Sequence, residues 1–196
     1  MNKFKRKLRV AVAIAMTLIV GFSANAHDFE SDGIYYNITS SVEPYTVEVT
    51  YCDNYYYYDE YSGIVVIPEI ISYGGVEYSV TSIGYGAFGD CDGLTSVTIG
   101  NSVTSIGGSA FRDCDGLTSV TIGNSVTSIG DTAFYKCYGL TSIVVKEGNS
   151  VYDSRENCNA IIETETNKFI YGCKNSFIPN TVTSIGRSAF SGCKGL

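Results

Sequence analysis

The sequence is poor in the side chains on which many enzymes depend. It contains a single histidine, His27, and no tryptophan. Catalysis by a serine or cysteine nucleophile requires a base that a third group holds in place, whereas His27 is expected at the start of the mature chain. Glycine-rich loops of the kinds that bind phosphate or dinucleotides are also absent. These absences predict a protein that is not an enzyme and that uses no cofactor and no metal.

Basic residues are scarce once the first 26 residues are set aside. That segment holds five of the 13 Lys and Arg residues and none of the 20 Asp and Glu residues, which leaves a formal charge of −12 on the rest of the chain. No cluster of Lys or Arg remains to neutralise a phosphate backbone. Nucleic acid is therefore not an expected partner.

The sequence also lacks an apolar run long enough to cross a membrane. The run from Val10 to Phe22 has 13 residues, against the roughly 20 that a spanning helix needs. Basic residues precede it, and the small-residue stretch Ser23 to Ala26 follows, which is typical of a secretory signal with an A-x-A cleavage site. We expect cleavage after Ala26 and a mature chain, without a transmembrane segment, that is secreted or held at the cell surface.

A repeat of about 23 residues is the dominant feature that the sequence does contain. The motif Val-Thr-Ser-Ile-Gly occurs four times, and Ala-Phe, Cys and Leu follow it at fixed spacings. The copies begin at Val80, Val103, Val126 and Val182. Within Leu94 to Ile99, Val97 and Ile99 alternate with Ser96 and Thr98, which predicts a short strand with one buried face. Strands of successive copies should stack in parallel, because no single copy can bury its apolar face alone.

The second half of each copy should return the chain to the start of the next copy. We predict an extended piece at Val103 to Ile106, followed by about one turn of helix near Ala110 to Asp113. The predicted fold is thus mainly β with short helical or 3-10 turns.

The stretch VTSIGGSAFRDCDGLTSVTIGNS and its copies, over about residues 80–145 and 176–196, resemble the BspA-like leucine-rich repeats of bacterial secreted and surface proteins. The resemblance extends over several copies of the repeat. It implies a curved leucine-rich-repeat solenoid, and it implies roles in adhesion or in contact with host proteins.

Two parts of the chain depart from the repeat. Residues 27–79 alternate apolar and polar side chains without the period, which predicts a β-rich N-terminal cap for a solenoid at 80–196. The chain advances 33 residues from Val145 to Ile178, against 23 from Ile99 to Ile122, and the ten added residues predict a hairpin insertion at about 149–175 that turns at Glu165 to Asn167 and bulges out of the stack. The strand position is expected to resume at Phe177 to Pro179.

The last copy is incomplete at Leu196. Such an end predicts an uncovered strand edge that favours self-association. A shortened chain, a truncated gene product and completion by a partner are three alternative explanations, and truncation predicts a soluble monomer of low stability.

Seven cysteines in an exported chain raise the question of disulfides. Four of them share one position of the repeat: Cys91, Cys114, Cys137 and Cys193. We interpret these four as a ladder of buried thiols, because their parallel directions make the dihedral of a disulfide hard to reach. Cys52, Cys158 and Cys173 lie outside the ladder, and a bridge from Cys158 to Cys173 across the hairpin is an open alternative. Zinc is not expected, because the sequence has no C-x-x-C pair.

Aspartates flank the first two cysteines of the ladder and could attract Ca²⁺. They are Asp90, Asp92, Asp113 and Asp115. Other residue types occupy the same positions in the later copies, which favours an ordinary solvated turn.

Two groups of residues are candidates for ligand binding. The first forms rows on the concave face of the stacked strands: Ser96, Thr98, Ser119, Thr121, Ser142 and Val144. The second is the tyrosine run of an acidic segment in the cap: Tyr55, Tyr56, Tyr57 and Tyr58. Tyrosine combines a large contact area with a polar tip. Each group has a structural alternative, namely β-forming residues that face solvent and an ordinary loop.

The sequence therefore predicts an exported, non-enzymatic binding module for adhesion or host-factor contact. Its partner would be an extracellular or host protein, with a glycan as a second class of ligand. The alternative is a structural or truncated repeat fragment with no ligand of its own.

Overall fold

The computed structural model describes residues 27–52 and 61–193. The strands in chain order are β1 (Phe29–Ser31), β2 (Ile34–Ser40), β3 (Thr46–Thr50), β4 (Gly63–Ile67), β5 (Ile70–Tyr73), β6 (Val76–Ile83), β7 (Leu94–Ile99), β8 (Ser105–Ile106), β9 (Ser119–Ile122), β10 (Ser128–Ile129), β11 (Ser142–Val145), β12 (Tyr152–Asp153), β13 (Ala160–Glu163), β14 (Lys168–Gly172) and β15 (Ser184–Ile185). One 3-10 turn spans Arg155–Asn157. Within these residues no helix has the length and apolar character to span a membrane.

Two sheets run along the stack of repeats. The front sheet has the order β11-β9-β7-β4, and all its strands are parallel. The return sheet has the order β1-β2-β3-β6-β8-β10, with β5 paired to β6. Val120 of β9 pairs with Val97 of β7 and with Ile143 of β11, so equivalent residues of successive copies lie side by side. This register confirms the predicted parallel stacking, and it buries the alternate residues of each strand.

The turn that joins the two sheets is not helical, in contrast to the prediction near Ala110 to Asp113. Arg112 N–H does donate to the Ser109 carbonyl (3.0 Å), as in a 3-10 turn. The N–H group of the preceding residue, Phe111, bonds instead to the next copy, since it donates to Ala133 O at 2.8 Å. Positive φ angles of 55° at Ser109 and Asp113 also interrupt any helical path. N–H groups that a helix would need for its own hydrogen bonds therefore bond to the next copy instead.

Parallel stacking begins within the segment that was predicted as a cap. Strand β4 pairs in parallel with β7, and β3 pairs in parallel with β6. Within this segment, only β1, β2 and β5 pair antiparallel throughout. The sequence did not reveal β4 as a repeat strand, because Gly63 occupies the position that Leu94 holds in the next copy.

The hairpin β13–β14 is a layer of the stack rather than an outward bulge. Ile161, Ile162 and Phe169 are fully buried. Tyr171 packs edge-on against Phe134, with ring centroids 5.5 Å apart, and its hydroxyl accepts a hydrogen bond from Ala133 N–H (3.0 Å). The hairpin thus takes the place of the next repeat because it carries aromatic and aliphatic side chains of matching size.

The prediction that the strand position resumes at Phe177 to Pro179 is wrong. These residues form no strand, and the side chains of Phe177 and Ile178 are exposed. The backbone position beside the start of β11 belongs to Lys174, whose N–H donates to the Leu140 carbonyl (3.1 Å). The last return strand, β15, then pairs with β14 of the hairpin.

Candidate binding surface

The six predicted residues of the concave face lie in two rows on the outer side of the front sheet. The structure adds β4 to both rows. The first row is Ile64, Ser96, Ser119 and Ser142, and the second row is Val66, Thr98, Thr121 and Val144. Neighbouring residues in a row belong to adjacent strands, which lie about 4.8 Å apart. Hereafter we call these two rows the outer rows.

The sequence analysis missed the β4 end of the outer rows. Ile64 and Val66 are 75% and 60% exposed. Val144 is exposed at the opposite end. The alternation in Gly63–Ile67 could have indicated a strand, although not which sheet it joins. The face therefore has hydroxyl groups at its centre and aliphatic groups towards both ends.

The hydroxyls of the outer rows differ from those of a neighbouring threonine ladder. Thr95, Thr118 and Thr141 each donate to a carbonyl of the preceding copy, at 2.8, 2.9 and 3.2 Å. Within the described residues, the side chains of Ser96, Thr98, Ser119, Thr121 and Ser142 take part in no such hydrogen bond. The threonine ladder therefore holds the copies together, whereas the outer rows present their hydroxyls to solvent or to a ligand.

Three of the four cysteines of the predicted ladder, Cys91, Cys114 and Cys137, are part of the core, whereas Cys193 is not. Cys114 and Cys137 are completely buried, and their thiols donate to Phe88 O (2.8 Å) and Phe111 O (2.9 Å) of the preceding copies. All seven cysteines are unbridged, so the structure contains no bond between Cys158 and Cys173. Cys91 is buried as well, and Cys193 is partly exposed.

Burial governs the protonation of these thiols. It raises the pKa of Cys137 to about 12, and Asp113 and Asp115 act in the same direction. Burial also raises the pKa of Cys114, with a further contribution from the neighbouring cysteines. Because a thiolate is the reactive form, these two cysteines are poor nucleophiles and poor metal ligands in the folded protein.

The raised pKa values predict a loss of stability in alkali. In the unfolded chain these thiols ionise near pH 9, whereas in the folded protein they stay protonated. The free energy of unfolding should therefore fall as the pH rises above about 9, by at most about 1.4 kcal/mol per pH unit for each thiol. Urea unfolding between about pH 8 and about pH 10.5 measures this slope. The double variant Cys114→Ala/Cys137→Ala should have a shallower slope, and an identical slope would contradict the assignment.

Two of the four aspartates beside the cysteines, Asp90 and Asp113, form ion pairs. Arg112 lies 3.3 Å from Asp90 and 3.2 Å from Asp113, and Lys136 lies 3.3 Å from Asp113. Over residues 27–52 and 61–193, no group of three His, Cys, Asp or Glu side chains is arranged to hold a metal ion. The favoured interpretation of these aspartates as a solvated turn fits this arrangement.

Several predicted features lie outside the described residues. They are the signal segment 1–26, the tyrosine run Tyr55 to Tyr58, and Leu196. His27 opens the described part of the chain, and its Nδ1 lies 2.5 Å from the carbonyl oxygen of Cys52.

Comparison with known proteins identifies the repeat. The family model of the BspA type leucine rich repeat region matches residues 71–165 and 160–196, with six copies. A leucine-rich repeat protein from Bacteroides ovatus is 31% identical, with a TM-score of 0.55 over 85% of this chain and 33% of that chain. A second one, from Bacteroides capillosus, is 22% identical, with a TM-score of 0.53 over 88% of this chain and 99% of that chain.

This chain thus spans about a third of the length of the Bacteroides ovatus protein. The similarity to the Bacteroides capillosus protein concerns the fold alone. No curated protein matches the sequence. Because the family model covers more than half of the chain, the protein belongs to the BspA type leucine-rich repeat family.

Proposed function

We propose that the protein is an exported, non-enzymatic binding module that contacts an extracellular or host protein through the outer rows. The observation that carries this proposal is the contrast between the two sets of hydroxyls on the front sheet. Those of Thr95, Thr118 and Thr141 hold successive copies together, whereas those of the outer rows have no such role. A surface that the fold does not need for its own stability is available to a partner.

The chemistry of the outer rows suits a protein partner. Their hydroxyls can donate and accept hydrogen bonds, and Ile64 and Val66 add exposed aliphatic surface whose burial favours association. The rows contain no aromatic side chain, and so they lack a ring on which a sugar could stack. These properties favour a protein over a glycan as the ligand.

Export is supported by the basic and apolar segment that ends at Ala26, and by the family. We propose that the mature chain begins at His27 and acts outside the cell or at its surface. The absence of a catalytic constellation in the sequence supports a role in binding rather than in chemistry.

A charge placed in the middle of the outer rows tests the proposal. The mature chain is immobilised and exposed to a panel of purified extracellular-matrix proteins and mucins. The double variant Ser119→Lys/Thr121→Lys should capture the bound proteins about tenfold less tightly, which corresponds to about 1.4 kcal/mol. The reason is that two charged side chains would have to be desolvated in the contact.

The matched control is Ser128→Lys on the exposed surface of the return sheet, which should leave capture unchanged. Equal capture by the double variant, or no capture from the panel by the unaltered chain, would count against the proposed surface. The second outcome would favour a repeat fragment without a ligand of its own.

A further inference from the structure

The two sheets end at different places at the N-terminal side of the stack. The return sheet continues beyond β6 through β3, β2 and β1. The front sheet ends at β4, and no other described strand pairs with the outer edge of β4. Strand β3 is thus a return strand whose own front strand is missing from the described part of the chain. Among the described residues, no strand occupies the position beside β4.

A groove of about 380 Å³ occupies this open position. Its walls are the turn after β1 and the edge of β4, with contributions from Asp32, Ile34, Tyr36, Ile64, Val66 and Pro68. An edge strand offers backbone N–H and C=O groups to another strand, and proteins usually blunt such edges with Lys, Pro or a bulge. Within Gly63–Ile67 there is no charged residue and no proline, and four of the five residues are β-branched. The edge is therefore well suited to accept an added strand.

The net charge of the chain is carried by its N-terminal half, which also supplies the residues that line this groove. Residues 27–111 contain twelve Asp and Glu residues and no Lys or Arg, whereas residues 112–196 contain eight of each kind. The whole formal charge of −12 thus belongs to the half of the chain that forms the groove. Asp32 lines the groove and is exposed, and its carboxylate adds to the effect of burial in raising the pKa of Tyr36. Such a field attracts a cationic ligand.

We propose that this groove binds an extended cationic peptide segment of another protein, which joins the front sheet as a strand beside β4. Main-chain hydrogen bonds to the edge of β4 would supply affinity, as in other cases of strand addition. Alternate side chains of the peptide would lie beside Ile64 and Val66, where β-branched aliphatic residues fit. Lysine or arginine at the remaining positions would meet the carboxylate of Asp32. The proposal concerns a surface other than the centre of the outer rows, and it does not depend on the function proposed for them.

Binding of a defined peptide tests the proposal. The probe is a short fluorescent peptide of alternating lysine and valine, titrated with the mature chain and followed by anisotropy. We expect saturable binding that weakens as salt is added. Methylation of alternate backbone nitrogens removes the donors of a strand, and it should weaken binding about tenfold or more, or about 1.4 kcal/mol. A peptide with glutamate in place of lysine should not bind.

A pair of variants locates the peptide. Val66→Lys places a positive charge on the edge of β4, which repels the cationic peptide and should weaken its binding about tenfold. The matched control Val144→Lys introduces the same residue in the same row at the far end of the sheet, and it should bind normally. Addition of peptide to the unaltered protein should slow amide exchange at residues 63–67. This measurement does not depend on the folding of a variant.

Three results would overturn the proposal. One is equal binding of the methylated and unmethylated peptides, which would mean that charge alone attracts the peptide. Another is normal binding to a folded Val66→Lys protein. The third is a concentration-dependent dimer that forms without peptide and is lost in Val66→Lys, since the edge would then pair with a second copy. The Ser119→Lys/Thr121→Lys variant should bind the peptide normally, which separates this test from that of the outer rows.

Discussion

Replacement of Phe111 by alanine is expected to lower the free energy of unfolding by about 3–5 kcal/mol. Phe111 is completely buried at the centre of a column of stacked rings. Its ring centroid lies 4.9 Å from that of Phe88 and 5.2 Å from that of Phe134, with interplanar angles of 7° and 2°. Backbone hydrogen bonds from Phe88 N–H to Ala110 O and from Phe111 N–H to Ala133 O fix the spacing of the copies. The cavity would therefore not collapse, and the cost should lie near the upper end of the range.

Urea unfolding of a chain that comprises residues 27–196 measures this loss. The control is Tyr85→Ala, which removes an aromatic ring that is 69% exposed and should change stability by less than about 0.5 kcal/mol. A loss below about 1 kcal/mol for Phe111→Ala would mean that the ring column is not the main source of core stability. The column ends in Tyr61 on one side and Tyr171 on the other, so a similar ring substitution there should cost less than at Phe111.

Replacement of Gly116 by alanine is expected to destabilise the protein by at least about 3 kcal/mol. A Cβ atom at Gly116 would lie 2.0 Å from the carbonyl oxygen of Asp92 in the preceding copy. The obstacle is backbone, which cannot move aside as the end of a flexible side chain can. The same close approach recurs at Gly139, where the Cβ would lie 2.4 Å from Asp115 O. A side chain at this position of the repeat would force adjacent copies apart.

The matched control for Gly116→Ala is Gly108→Ala. At Gly108 the nearest atom to an added Cβ is Asp131 O at 3.3 Å, so a small adjustment accommodates it. Thermal unfolding monitored by circular dichroism should show a large decrease in melting temperature for Gly116→Ala and a small one for Gly108→Ala. Equal effects of the two substitutions would show that the spacing of the copies is not set by backbone contact at Gly116.

The repeated part of the fold could be predicted from the sequence. Val97 and Ile99 are spaced so that one face of a strand is apolar, and the 23-residue period places their counterparts in register. The outer rows follow from the same alternation, because Ser96 and Thr98 occupy the intervening positions. Identification of the family rests on these same landmarks.

Three features could not be predicted from the sequence, because each depends on contacts between residues that are distant in the chain. The segment near Ala110 to Asp113 looks compatible with helix locally, yet the N–H groups of Phe111 and Asp113 bond to the next copy. Strand β4 lacks the leucine landmark, and only its pairing with β7 assigns it to the front sheet. The hairpin enters the stack because Tyr171 and Phe169 fill the space that a repeat would fill.

The sequence alone determined that this chain stacks copies of one unit, which residues face inward, and which hydroxyls line the front, because all three follow from a fixed period and from alternation along a strand. Only the tertiary structure decided how the stack begins and continues past its regular copies. There, the adjacent layer of the stack does not have the repeat sequence. Which strand packs there depends on the backbone edge that is free to pair and on the space that side chains must fill. The open edge of β4 is the clearest example, since nothing in Gly63–Ile67 indicates that one of its two sides has no described strand beside it.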